Sequence, residues 1–295
     1  EIAQQAAMLS LPRARWTIPF LEETLPALVR ARRPDLICLP HSPWGGDLPF
    51  VAGAGVTHYY GVGAYCRPLE DARRADVRFA TECLAFANLP QPAAMTLDHA
   101  GLDPASPEWK ARVVRDLKAS WDFEDTRDYY LDRLYGVDAE CLRRDDPDRY
   151  VALSQAVSGE VMEATFAEWR RAGSTTAGAL VWLLSDVGRG FGWGVIDHRG
   201  EPKPAYYALK RAFRPVTLVL TDEGVNGLRL HAINETAAPV AATVRLQCLA
   251  ADGAARGTVR GAQCLVGRAG RGCVGSVGGG GGHADEAAEK VAGDG

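Results

Sequence analysis

Val77-Arg78-Phe79-Ala80-Thr81-Glu82-Cys83 is an apolar run that closes on a carboxylate. A run of this length, bounded by turn signals, reads as a buried strand. A second, Val56 to Tyr60, lies upstream across the charged, helix-like Leu69-Glu70-Asp71-Ala72-Arg73-Arg74. A third, Gly178-Ala179-Leu180-Val181-Trp182-Leu183-Leu184-Ser185, lies downstream across three helical stretches: Glu108–Ser120, Thr126–Tyr135 and Pro147–Arg171. The last of these carries Val157, Val161, Met162, Thr165, Phe166 and Trp169 at helical spacing. A fourth short run, Leu36-Ile37-Cys38-Leu39, follows the helical stretches Gln4–Leu11 and Phe20–Arg32 and stops at Pro40. Ala205–Phe213 reads as one more helix. Strands alternating with helices predict a parallel sheet and an α/β fold over residues 1–214.

Beyond Pro215 the pattern changes to period two. Val216–Leu220, Gly227–Asn234 and Ala241–Cys248 read as strands, with turns at Glu223-Gly224 and Asn234-Glu235-Thr236. Residues 215–252 are therefore expected to begin a β-sandwich. Asn234-Glu235-Thr236 is formally a glycosylation acceptor but reads here as a turn. The last stretch, 253–295, holds 14 of the 32 glycines and no Trp, Tyr or Phe. With so little apolar surface to bury, it is expected to be disordered. Its glycine run is no phosphate loop, since no GKS/T follows it.

Composition excludes several functions. Lys and Arg number 33 against 37 Asp and Glu, a net charge of -4. A sequence-independent nucleic-acid binder needs a basic face, so none is expected. No apolar run approaches a membrane span. The seven cysteines are scattered, with no CxxC and no paired Cys/His spacing, which argues against structural zinc and a disulfide framework. A reducing, cytoplasmic setting is expected.

In a parallel α/β barrel the working residues lie just past the C-terminal strand ends. The four strand exits carry His41-Ser42-Pro43-Trp44-Gly45-Gly46, His58-Tyr59-Tyr60-Gly61, Glu82-Cys83, and Trp182 running to Ser185-Asp186 with Gly192-Trp193-Gly194 beyond. One carboxylate, imidazoles and several aromatics on one rim suit a sugar: rings stack on pyranose faces and the carboxylate serves an anomeric carbon. Glu82 is the sharpest candidate; the alternative is a Glu paired with Arg78 or capping a helix. For His58 the alternative is a satisfied core histidine, and for Trp182 a core aromatic.

These strings, with Pro68-Leu69-Glu70-Asp71, Trp193-Gly194-Val195-Ile196-Asp197 and Lys203-Pro204-Ala205-Tyr206-Tyr207, resemble the β-mannosidases of glycoside hydrolase family 2 over about residues 1–250. The resemblance implies the C-terminal half of a (β/α)8 TIM barrel, then a partial immunoglobulin-like β-sandwich. It implies Glu82 as catalytic nucleophile and, by position, Glu1 as acid/base. It also places Trp182 beside the scissile sugar, and His58 and Tyr59 near the nucleophile. Trp44, Asp186 and Trp193 complete the expected sugar-binding set. The family's Ser-Glu-Phe/Tyr-Gly stands here as Thr81-Glu82-Cys83-Leu84, and its Gln-x-Asn-Asp as Leu183-Leu184-Ser185-Asp186.

The implied reaction is retaining hydrolysis of terminal β-D-mannosides, with two carboxyls roughly 5–5.5 Å apart and an acid/base whose pKa is raised by its neighbour and by burial. No metal or organic cofactor is implied, and the partner is a small carbohydrate. The alternatives are another family 2 exo-β-glycosidase (a galactosidase or glucuronidase) and a non-catalytic carbohydrate-binding relative. The same mapping equates the four strands with barrel strands five to eight. It makes the chain a fragment of a longer enzyme, inactive or poorly folded by itself because unpaired strand edges invite aggregation.

Overall fold

The computed structural model describes residues 5, 6, 8–46, 51–267 and 270–277. They form two compact units, one built from residues up to Thr165 with Thr175–Leu209, the other from Phe166–Ser174 with residues from Lys210 onward. The second unit thus starts slightly before Pro215 and takes in the end of a helix from the sequence ahead of it.

In the first unit a π-helical turn, Phe20–Thr24, runs into α1 (Leu25–Arg32), which ends ahead of Pro34. There follow β1 (Thr57–Tyr59), α2 (Asp71–Arg74) and β2 (Phe79–Cys83), then α3 (Pro92–His99), α4 (Pro107–Lys110), α5 (Phe123–Tyr135), α6 (Ala139–Asp145), α7 (Pro147–Arg170), β3 (Gly178–Val181) and α8 (Pro204–Ala212). The strands make a parallel sheet in the order β1-β2-β3. Parallel order joined through helices matches the expected α/β architecture.

Two expected elements fail. Leu36–Leu39 is not a strand: Ile37 is 90% exposed, and no strand pairs with the segment among the described residues. Four apolar residues become a strand only when a neighbour takes their backbone hydrogen bonds. The helix expected over Glu108–Ser120 stops at Lys110. Past it the backbone crosses to the Phe191 segment, where Phe191 N–H donates to the Arg112 carbonyl and Val114 N–H to the Phe191 carbonyl. Bonds given to that segment are unavailable to a helix.

Capping sets the start of α5. The Asp122 side chain accepts from the Glu124 and Asp125 N–H groups while Asp125 reaches back to the Asp122 N–H, and the helix closes at Gly136 in the left-handed region. On α7 all six residues singled out by spacing are buried. Between α4, α5, α6 and α7 lies a buried charge network. Glu124 accepts from Trp109 Nε1 (2.6 Å), Arg127 Nη2 (2.8 Å), Tyr150 Oη (3.0 Å) and Lys110 Nζ (3.2 Å), with Arg143 Nη2 also at 3.2 Å. Arg127 spends another donor on the Ala87 carbonyl, which fixes the loop beyond β2.

The second unit holds β4 (Val216–Asp222), β5 (Leu228–Asn234), β6 (Val240–Leu249), β7 (Ala255–Val266) and β8 (Gly270–Val277). They form an antiparallel three-stranded sheet, β4-β5-β8, and a two-stranded sheet, β6-β7. Asn234 is fully buried. Its Nδ2 donates to the carbonyls of Ala238, Val266 and Gly267, and its Oδ1 accepts from the Thr236 N–H and hydroxyl. That is the turn expected there. The disorder expected for 253–295 is corrected over Ala255–Val266 and Gly270–Val277, which pair with β6 and β5. Ladder bonds come from the backbone, so two strands without aromatics can still add to a sheet. Residues 278–295 lie outside the described part.

Candidate active site

The chemistry gathers at the ends of β1 and β2, where His58 stands opposite Glu82 in the parallel register. Side chains alternate along a strand, so His58 and Tyr60 leave on one side and Tyr59 on the other. The Tyr60 hydroxyl donates to Glu82 Oε2 at 2.7 Å. His58 Nδ1 lies 3.5 Å from the same oxygen, its side chain 6% exposed against 21% for Glu82. Oε1 takes no hydrogen bond from a described side chain. Arg78 is committed elsewhere: its Nη2 lies 3.8 Å from Asp76 and its Nε donates to the Gly53 carbonyl. Glu82 is therefore not the ion-pair partner that the alternative reading required.

The loop before β1 supplies the next layer. Trp44 and Val56 exchange backbone hydrogen bonds at 2.9 and 2.8 Å. Gly55, at φ +63°, lies so close beneath that a Cβ would collide with the Trp44 carbonyl. This bridge holds Ser42 with its Oγ 2.9 Å from His58 Nε2 and in contact with Thr81 Oγ1, and Thr81 donates on to the Thr57 carbonyl at 3.2 Å. The Trp44 ring itself packs edge-on to His41, centroids 4.8 Å apart. Two residues past Glu82, the fully buried Leu84 adopts φ +60°. A left-handed leucine costs energy that a glycine would not, and such outliers gather at functional sites.

Trp182 continues from β3, its N–H donating to the Cys83 carbonyl at 2.8 Å, which seats it beside the Glu82 strand end. Its ring meets Trp193 at a centroid distance of 6.1 Å, and Trp193 meets Phe123 edge-on at 5.2 Å. The buried Trp193 Nε1 has no hydrogen-bond partner among the described residues. Cys83 itself is sealed in the sheet, and burial pushes its thiol well above the ordinary range.

Two expected sugar-binding residues have other partners. The Tyr59 ring is buried and its hydroxyl donates to Asp71 at 2.8 Å while accepting the Val62 N–H. Burial and Asp71 push that phenol far above its ordinary pKa. Asp186 accepts the Gly194 N–H at 2.7 Å and is ion-paired with Lys203, whose side chain is fully buried and also donates to the carbonyls of Asn88 and Gly192. At Gly194 a Cβ would strike the Asp186 backbone and carboxylate, so the glycine is what lets the loop fold onto Asp186. Burial lowers the Lys203 pKa despite this pairing. Glu1, the expected acid/base, lies outside the described residues.

Residue-type reasoning missed Tyr60, Ser42, Thr81 and Lys203. Counting by two from His58 would have selected Tyr60 over Tyr59. Ser42 had no such signal, since it reaches His58 from sixteen positions away in the sequence. No group of three or more His, Cys, Asp or Glu that could hold a metal ion occurs among the described residues. Among them, too, no helix is long and apolar enough to cross a membrane.

No family model matches the chain. It is 28% identical over 210 residues to β-mannosidase B of Aspergillus flavus and 29% identical over 210 residues to that of Aspergillus niger, in each case over 68% of this chain. It spans about a quarter of the length of these curated relatives (24%). Among solved structures it superposes on a β-D-mannosidase from Dictyoglomus thermophilum with a TM-score of 0.73 at 20% identity, over 88% of this chain and 31% of that one. An exo-chitosanase from Amycolatopsis orientalis gives 0.55 at 19% identity over 69% and 24%. The structural likenesses speak to the fold, and the sequence likeness to the β-mannosidases covers about two thirds of the chain. In sequence the chain is similar to these fungal β-mannosidases, and in fold to the Dictyoglomus β-D-mannosidase.

Proposed function

We propose that this chain carries the nucleophile side of a retaining exo-β-glycosidase site for terminal β-D-mannosides. The observation that carries the reading is the Glu82 carboxylate at the C-terminal end of the central parallel strand, with Tyr60 donating to Oε2 and Oε1 left to react. Oε1 bonds to the anomeric carbon as the bond to the leaving oxygen breaks, and a second carboxyl gives that oxygen its proton. Water then attacks the same carbon, passing its proton to the second carboxyl, and Glu82 departs as carboxylate. Glu1 is the proposed second carboxyl. Trp182 and Trp193 offer ring faces for the sugar.

A 2-deoxy-2-fluoro-β-D-mannosyl fluoride tests the nucleophile alone, because fluoride leaves without protonation. A covalent adduct on the peptide containing Glu82, absent in Glu82→Gln and formed faster than with the gluco or galacto reagent, is expected. Saturable mannoside binding with no adduct would overturn the reading in favour of a non-catalytic sugar binder.

A further inference from the structure

We propose that Asn88 is a positioning residue for the sugar site, its side-chain amide holding Trp193 in place beside the strand end that carries Glu82. The consequence for sugar binding rests on the glycosidase reading above; the hold on Trp193 does not.

The segment that leaves β2 directly after Glu82 reads Cys83-Leu84-Ala85-Phe86-Ala87-Asn88-Leu89, with one amide in an otherwise apolar run. All seven residues are buried. A primary amide costs free energy in such surroundings unless its protons find acceptors. Here Nδ2 donates to the Trp193 carbonyl at 2.8 Å and to the Gly194 carbonyl at 3.4 Å. Backbone bonds frame the same point. The Asn88 N–H donates to the Gly192 carbonyl at 3.0 Å, and Lys203 Nζ donates to the Asn88 carbonyl at 2.8 Å. The Ala87 N–H donates to the carbonyl of Phe123, whose ring meets Trp193 edge-on.

One buried segment therefore places the carboxylate and both tryptophans. Its Cys83 carbonyl accepts the Trp182 N–H, and Asn88 holds the Gly192-Trp193-Gly194 loop. The Trp182 contact runs backbone to backbone, whereas the bond to the Trp193 carbonyl comes from a side chain and can be removed by substitution. A ring face stacked on a sugar touches it in the ground state and the transition state alike. Losing that contact weakens binding without slowing the chemical step. A change that displaced Glu82 itself would slow the chemical step instead, so the two effects separate in the kinetics.

The experiment is fluorine spectroscopy on the whole chain carrying fluorotryptophan, with the Trp193 line assigned by its loss in Trp193→Phe. Asn88→Ala is expected to move that line. In the same variant the concentration of 2-deoxy-2-fluoro-β-D-mannosyl fluoride that half-saturates labelling is expected to rise about tenfold, the worth of one hydrogen bond, with the maximal labelling rate unchanged. Asn88→Asp keeps the shape, loses the Nδ2 protons and is expected to match it. Leu89→Ala opens a cavity at the next buried position, so it is expected to lower stability and leave half-saturation at the native value. In a Trp193→Ala background, Asn88→Ala is expected to add nothing. An unmoved Trp193 line, unchanged half-saturation, a lowered maximal rate, an equal loss in Leu89→Ala, or a full tenfold loss on top of Trp193→Ala overturns the proposal. So does a chain that folds with neither Asn88→Ala nor Asn88→Asp, which would make the amide structural. A native chain that takes no label defeats the glycosidase reading, and the fluorine spectra still decide whether Asn88 holds Trp193.

Discussion

The Tyr60 hydroxyl donates to Glu82 Oε2 at 2.7 Å, from the position that follows a tyrosine facing the opposite way. Two adjacent tyrosines thus belong to different parts of the molecule, one to the carboxylate at the strand end and one to the core.

Tyr60→Phe is expected to slow labelling of Glu82 by roughly 10- to 100-fold, since a hydrogen bond to a charged group contributes about 1.5–3 kcal/mol. The check is the inactivation rate constant by mass spectrometry. An unchanged rate would mean that Tyr60 does not act on the nucleophile.

Tyr59→Phe is expected to behave in the reverse way. It leaves the Asp71 carboxylate and the Val62 N–H each short of a partner, a cost of about 1–3 kcal/mol in urea unfolding. Labelling of the folded variant stays at the native rate.

Lys203→Met strands Asp186 and two carbonyls in a buried setting and is expected to cost about 3–5 kcal/mol. Combining it with Asp186→Asn removes the uncompensated charge, so the double variant is expected to unfold later than Lys203→Met alone. A strictly additive double-mutant cycle would show that the two side chains do not interact.

Burial alone would push the Glu124 carboxyl up, but Arg127, Arg143, the Trp109 indole and Lys110 together hold it down to about 2. Its ordinary value is 4.5, so as the pH falls the unfolded chain takes up this proton first. The stabilisation is complete above about pH 4.5 and is lost progressively as the pH drops toward 2. Thermal melting followed through this window is expected to show a falling limb that Glu124→Gln flattens.

The local grammar of the chain was legible in its residues. Period-3.6 spacing marked the buried face of α7, apolar runs closing on Glu82 and Trp182 marked two parallel strands, and period two marked β4 to β6. These are short-range properties, decided by which side of an element meets water. The nucleophile candidate was legible for the same reason, as a carboxylate at the end of an interior strand.

Partnership was decided only by the tertiary structure. Leu36–Leu39 has strand-like residues but no strand beside it, whereas Gly270–Val277 has poor strand residues and pairs with β5. Hydrogen bonds between backbones depend on what the fold brings alongside, which composition does not record. The same holds at the site. Tyr60 rather than Tyr59 reaches Glu82, Lys203 claims Asp186, and Ser42 meets His58 and Thr81 because the fold carries one loop back over two strand ends. The residues determined which elements form and where a carboxylate stands at a strand end; the packing of those elements alone decided which side chains it would share its charge and protons with.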